Sequence, residues 1–389
     1  MSRASIFDRL HQRLPEPEPE PTLDQTRTDY DPDRLRLIDG VALTSAGFVG
    51  NGDIPEPAGA SLSESLHGAD GYRLLVHEIS DLPPLSDLRL KRLEARAVRL
   101  QQLLQAIVID ALMLLESVPE DSRFDVILTA PVRSPEATDI LTRYLQDLFA
   151  ETAFGERLGE LRVTRKADDP HRLLGVTEEG GMPYVLWICA DSLLNPEALA
   201  APDIRTLLSQ ASRGAGVYPG EAVVALLAQR VLPQQKCFEE GWLLGKGVTH
   251  EHSARASLRN NQRRKELIEL LQSVWVNAEE GDEPARMVID AFALPGRAIE
   301  LGGAVIECWP GVDALEDAVA LDVSCGWTGE AIPALMLVMA MTGLGADQEA
   351  VIMSLSAETS SEAWVLRSFH RRAAQTEALS EAHTKENHS

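Results

Sequence analysis

The sequence predicts an α/β protein whose sheet is largely parallel and covered by helices on both faces. Two apolar runs, FDVILT at 124–129 and YVLWIC at 184–189, have the composition of strands buried on both sides. Segments with apolar residues at helical spacing stand between such runs, and strands that alternate with helices imply parallel crossovers. The 389 residues, 44% of them hydrophobic, are enough for a large layered core.

The elements follow in order. Residues 15–35 alternate Pro and Glu with few apolar anchors, too few to offset the entropy of ordering, and predict an extended, flexible acidic segment. Ahead of it Ile6, Phe7, Leu10 and Leu14 form a short amphipathic stretch, either a frayed end or a docking peptide. DGVALTSAGF (39–48) reads as a strand running into a glycine- and proline-rich loop over 46–62, and Val76 to Ile79 as a second short strand. Leu88 to Val118 carries apolar residues at helical spacing, charged at first and nearly all apolar later. After the strand at 124–129 come a turn and an amphipathic helix over 138–149, with Ile140, Leu141, Leu145 and Leu148 inward. Strands follow at 161–164 and 184–189, then PGEAVVALLAQRVL at 219–232 and a helix over 263–275. Strands are expected at 287–291, 304–308 and 351–355, with a core helix at 331–343 and a disordered polar tail at 373–389.

Composition narrows the function. With 36 basic and 60 acidic residues the formal charge is −24, which repels nucleic acid and anionic lipid and favours a basic protein partner. The run from Ala331 to Gly345 is shorter than the ~20 residues of a membrane helix, so no span is expected. Cys189, Cys237, Cys308 and Cys325 form no CxxC pair, and the N-terminus has no apolar core of signal length. Together these predict buried thiols in a reducing, cytoplasmic compartment, and neither a metal site nor a cofactor.

One stretch is more specific. Asp191-Ser192-Leu193-Leu194-Asn195-Pro196-Glu197-Ala198-Leu199 directly follows the YVLWICA strand, and Gly216 to Ala222 reads GVYPGEA. In this order they resemble the β-ketoacyl synthases, where a strand leads into a DSLL-type turn and a PGEAA-type segment opens the next strand. Gly326 to Leu355, a Gly-x-x-Gly before a buried helix and a strand, resembles the same family. The resemblance covers about a third of the chain. It implies a thiolase-like fold of two related halves, 36–235 and 236–372, forming layered sheets covered by helices.

The departures bear on chemistry. The family places a cysteine at the N-terminus of a buried helix, which lowers the thiol pKa and holds the oxyanion. Here RKADDPHRLLGVTEEGGMP stands between the strands at 161 and 184, with no cysteine, Pro170 inside it and Gly180-Gly181 at its end. The family's paired histidines have no match; the nearest are His250 and His252 in GKGVTHEHS, a polar stretch. Cys189 reads as a core thiol, and Cys325 in VSCGWTG as the more tempting one, with His171 a further isolated candidate. Gly245-Lys246-Gly247 lacks the spacing of a phosphate loop and reads as a turn. Arg259 to Lys265 reads as a solvated basic face, and Glu178-Glu179 and Glu279-Glu280 as surface charge.

No catalytic residue is therefore assigned, and the sequence reads as a noncatalytic, protein-binding member of an enzyme fold. Degenerate thiolase-like proteins resemble the adaptors or chaperones of bacterial type VI secretion effectors, which would make an effector or spike component the partner. The alternative is a noncatalytic subunit partnering an active condensing enzyme. The oligomeric state is left open.

Overall fold

The computed structural model describes residues 29–369 except 51, 69–70, 176–180, 209–215, 236–239 and 276–282. The amphipathic stretch at 6–14, most of the Pro/Glu segment, Cys237, both glutamate pairs and the polar tail lie outside the described residues. The strands are β1 (Leu35–Thr44), β2 (Gly47–Val49), β3 (Ser61–His67), β4 (Arg73–Val76), β5 (Phe124–Thr129), β6 (Leu158–Thr164) and β7 (Tyr184–Ser192). They continue with β8 (Glu221–Arg230), β9 (Gly241–Leu244), β10 (Val248–Glu251), β11 (Arg286–Ile289), β12 (Ala318–Ala320), β13 (Glu349–Ser354) and β14 (Ser360–Phe369). The α-helices of five or more residues are α1 (Ala95–Leu114), α2 (Pro135–Ala150), α3 (Pro170–Leu174), α4 (Pro202–Leu207), α5 (Asn260–Trp275), α6 (Arg297–Cys308) and α7 (Ile332–Met341).

Ten strands run in the order β6-β5-β7-β8-β1-β9-β14-β13-β11-β12, and the pattern is the same read inward from either end. On one side β5 pairs in parallel with β6 and β7, while β8 is antiparallel to β7 and β1. On the other, β11 pairs in parallel with β12 and β13, while β14 is antiparallel to β13 and β9. Helices fall at matching places: α1 and α5 after the first strand, α2 and α6 after the second, α3 and α7 after the third. A short antiparallel contact of β1 with β9, from Leu35↔Leu244 to Leu37↔Trp242, joins the two sides.

The period-two alternation of side chains sorts the core into layers. Leu186 and Ile188 of β7 and Ala225 and Leu227 of β8 pack under α1 and α2. Their neighbours Val185, Trp187, Val224 and Leu226 face the other way, onto α7. Met287, Ile289, Val351 and Met353 pack under α5 and α6, while Val288 and Ile352 share the central cluster with α7. Helix α7 thus lies between two sheet faces, which explains why it is apolar all round. Gly40 of β1 admits it: a Cβ there would stand 2.8 Å from Val338 Cγ2.

Several expectations shift. The helix read over 88–118 is broken at Glu94, whose extended backbone (φ −157) lets its carboxylate accept the N–H groups of Arg133 and Ser134 at 2.8 and 3.1 Å. By length and composition Ala95–Ser117 could cross a membrane, with mean hydropathy 1.5; it lies against the sheet with Leu100, Leu103, Leu104 and Ile107 buried. The strand expected at 304–308 is the end of α6, where Leu301, Ala304 and Val305 are buried at helical spacing. Pro170 begins α3, with Asp169 capping the N–H groups of His171 and Arg172. Gly245-Lys246-Gly247 is the link between β9 and β10, both of which run along β14.

Candidate functional site

The buried polar residues of the motif that carries the resemblance, Asp191, Ser192, Asn195 and Glu221, are tied into the framework. Asp191, at the end of β7, is fully buried and accepts three hydrogen bonds of 2.6–2.9 Å from Arg96 of α1. It also accepts the N–H of Glu330 at 2.7 Å, and its carboxylate lies where a Cβ on Gly329 (φ +60) would stand. Glu221, at the start of β8, is likewise buried and accepts Arg99 Nε at 2.8 Å, Ser192 Oγ at 2.9 Å and the N–H of Ile79 at 2.9 Å. Two arginines a helical turn apart on α1 therefore clamp the helix onto two neighbouring strand ends. Burial pushes the Asp191 carboxyl up against the pull of Arg96.

The two matching sides differ most in one helix. The helix after the third strand is α7, ten residues long, on one side and α3, five residues long, on the other. α3 reads PHRLL and carries no cysteine. Of the described thiols, Cys308 at the end of α6 is half-buried rather than buried as expected, whereas Cys189 is fully buried, donates to the Glu330 carbonyl at 3.1 Å, and has its pKa raised well above normal by burial. Cys325 donates to the Leu321 carbonyl at 3.3 Å, and burial pushes it up to about 12. His77, which no sequence pattern singles out, packs against Gly326 beside Cys325, but among the described residues no imidazole hydrogen-bonds that thiol.

The other histidines are apart. His252 bonds Ser361 Oγ at 3.0 Å, whereas His250 Nε2 bonds Glu266 at 2.6 Å and stands 3.8 Å from Glu269. These three have ligand atoms within 4.8 Å of one another, the one such grouping among the described residues, and the short hydrogen bond accounts for it.

Beside the short α3 the central layer is incomplete, and a cavity of about 680 Å³ lies between α3, α7 and the β13-β14 strands. Ile332, Met336 and Leu337 of α7 and Ile352 and Trp364 of the sheet form its apolar side. Asp33, Asp168, Asp169 and Glu362 line it together with Lys246 and Arg172. His171, 8% exposed, is also on its wall with Nε2 3.0 Å from the Gly245 carbonyl. The sequence places His171 and Lys246 as isolated features; the fold brings them together.

No protein-family model matches the chain, and no curated protein matches it. Solved structures do. The ishigamide ketosynthase/chain length factor is 12% identical over 87% of this chain and 99% of its own, with a TM-score of 0.51. The ketosynthase from module 6 of the bacillaene synthase from Bacillus subtilis 168 is 10% identical over 87% of this chain and 73% of its own, also with a TM-score of 0.51. At such identities the likeness is one of fold: the chain has the thiolase-like fold of the ketosynthases, a large mixed sheet covered by helices, as the DSLL and PGEA segments implied.

Proposed function

We propose that this chain is a noncatalytic member of the ketosynthase fold that works by binding another protein. The observation that carries the reading is α3: the five-residue PHRLL helix stands where the matching topology puts a ten-residue helix, and it has no thiol. The buried, protonated Cys189 and Cys325 supply no replacement nucleophile. The repeated strand order supports a division into halves near residue 235, and the buried thiols are consistent with a reducing, cytoplasmic location.

Two partners come from the sequence. An active condensing enzyme fits the fold, since one similar structure is a ketosynthase/chain length factor. A secretion effector or its spike fits the charge of −24, which favours a basic protein surface and disfavours an acidic carrier protein. Outward-facing Ile109 and Met113 of α1 and Ile299 and Ile306 of α6 are the apolar residues either partner could cover.

Tagged protein captured from its native cell, followed by mass spectrometry and reconstitution from purified components, tests the reading. A stoichiometric complex with a condensing enzyme supports the first partner, and one with a toxin-like or spike-like protein the second. Condensation or decarboxylation of a malonyl thioester by the chain alone, abolished in Cys189→Ala or Cys325→Ala, would overturn it.

A further inference from the structure

The cavity beside α3 has an imbalance that defines a ligand. Four carboxylates face it against two cations, and each cation is already paired, Lys246 with Asp33 at 2.9 Å and Arg172 with Asp168 at 3.4 Å. Asp169 and Glu362 are left. Asp169 accepts only neutral donors, the N–H groups of His171 and Arg172 and, at 3.3 Å, the Trp364 indole. Among the described residues no hydrogen bond or ion pair reaches the Glu362 carboxylate, which stands on β14 opposite Ser354 and Thr249. Burial and the charges of Asp169, Asp290, Asp168 and Glu251 all disfavour its ionised form.

A second observation points the same way. His171 Nε2 faces a carbonyl oxygen, so it carries the proton, and burial keeps the ring neutral. Its Nδ1 is then a lone-pair acceptor, buried and without a partner. The wall thus carries more acceptors than its two cations answer: two carboxylates without an ion pair of their own among the described residues, backed by a neutral buried imidazole and next to the apolar side chains of Met336, Leu337 and Trp364. The volume is within the ~300–1,000 Å³ of small-ligand sites.

We propose that this cavity binds an organic cation, an ammonium or guanidinium group on an apolar stem. The stem lies along α7 and Trp364 and the head reaches Glu362 and Asp169, with the neutral His171 ring in the wall behind them. An acyl carboxylate has the wrong sign for it. The site does not depend on the identity of any protein partner.

Calorimetric titration of the full chain tests this with hexylamine, hexanol and hexanoate, which share a stem and differ in charge. Hexylamine is expected to bind at least tenfold more tightly than either. Glu362→Gln should cancel that preference while leaving the thermal midpoint unchanged or higher, since it removes a charge from among like charges. Titration of an amidated lysine-containing peptide distinguishes the source. Binding ten times tighter than hexylamine assigns the site to a side chain of a partner, and the reverse order assigns it to a free amine. Equal binding of hexylamine and hexanol, no binding of hexylamine, or an unaltered preference in Glu362→Gln would each overturn the proposal.

Discussion

Arg96→Met separates the structural reading of the DSLL segment from a functional one. Asp191 has a side chain that is 0% exposed and Arg96 one that is 16% exposed, so the pair is shielded from the solvent that weakens surface ion pairs. Removing the arginine leaves three hydrogen bonds unmade and a buried carboxylate without its counter-charge, which costs about 3–5 kcal/mol. That is a large share of the ~5–15 kcal/mol that holds a domain folded. Asp191→Asn in the Arg96→Met background removes the stranded charge and keeps an acceptor for the N–H of Ser192 or Glu330. The double variant should therefore be more stable than Arg96→Met alone. Because burial already raises the Asp191 pKa, losing Arg96 raises it further, and protonation at pH 5 should shrink the defect seen at pH 7.5. Urea unfolding followed by far-UV circular dichroism at both pH values gives all three quantities. A loss of under about 1 kcal/mol at pH 7.5, or costs for the two positions that simply add, would refute the clamp.

Acidity should stabilise the protein through its buried carboxyls, against the opposing effect of His77 and His171, whose imidazoles burial holds neutral. Burial raises the carboxyls of Asp39, Asp191, Asp290, Asp322, Glu330 and Glu362, and Asp322 reaches about 6 from its ordinary 3.8. A raised folded pKa means that the folded state holds the proton more tightly, so its stabilisation is complete below 3.8 and is lost as pH rises through about 6. Asp322 alone contributes about 3 kcal/mol over the whole window and about 1.4 between pH 5 and 7.5; an Asp322→Asn variant whose urea midpoint changes over that interval just as the parent's does would contradict this. Cys189 and Cys325 should resist iodoacetamide at pH 7.5 in the native protein and react in urea, and rapid native labelling of either, read by peptide mass spectrometry, would reopen the question of a nucleophile.

What the sequence showed and what it hid have physical reasons. FDVILT and YVLWIC were legible because strands buried on both faces carry apolar runs, although β7 is parallel to β5 and antiparallel to β8, and the sheet is mixed where a largely parallel one was expected. β9, β10 and β12 are three or four residues long and carry intermediate or exposed residues, so they have too little pattern to read. β14 was harder to read: Ser361, Ala363, Trp364, Leu366 and Ser368 are its buried residues, and serines at two of the five, with Ala363 and Trp364 adjacent, disguise the alternation. In α6 the Gly302-Gly303 pair interrupts a helical pattern that Leu301, Ala304 and Val305 otherwise complete. The cavity was out of reach, because Asp33, Asp169, Lys246 and Glu362 come from four separate segments that only the β1-β9-β14 arrangement brings together.

The motif resemblance and the missing chemistry are two readings of one distribution of constraint. Asp191 and Glu221 sit at strand ends where every lone pair is committed to α1, a backbone N–H or Ser192, so the pattern they make is a requirement of the framework. Such residues identify a fold and are silent about a reaction. The segment at α3 is different in kind. α3 is held by its own cap at Asp169, by Leu173 and Leu174 in the central cluster and by the His171 contact to the β9-β10 link, none of which needs a thiol or a longer helix. A short helix there leaves α7 packed between its sheets with a cavity at its side, lined by more carboxylates than cations. On the proposed reading, the segment that lacks a thiol is also the segment that borders the pocket in which a different ligand can be sought.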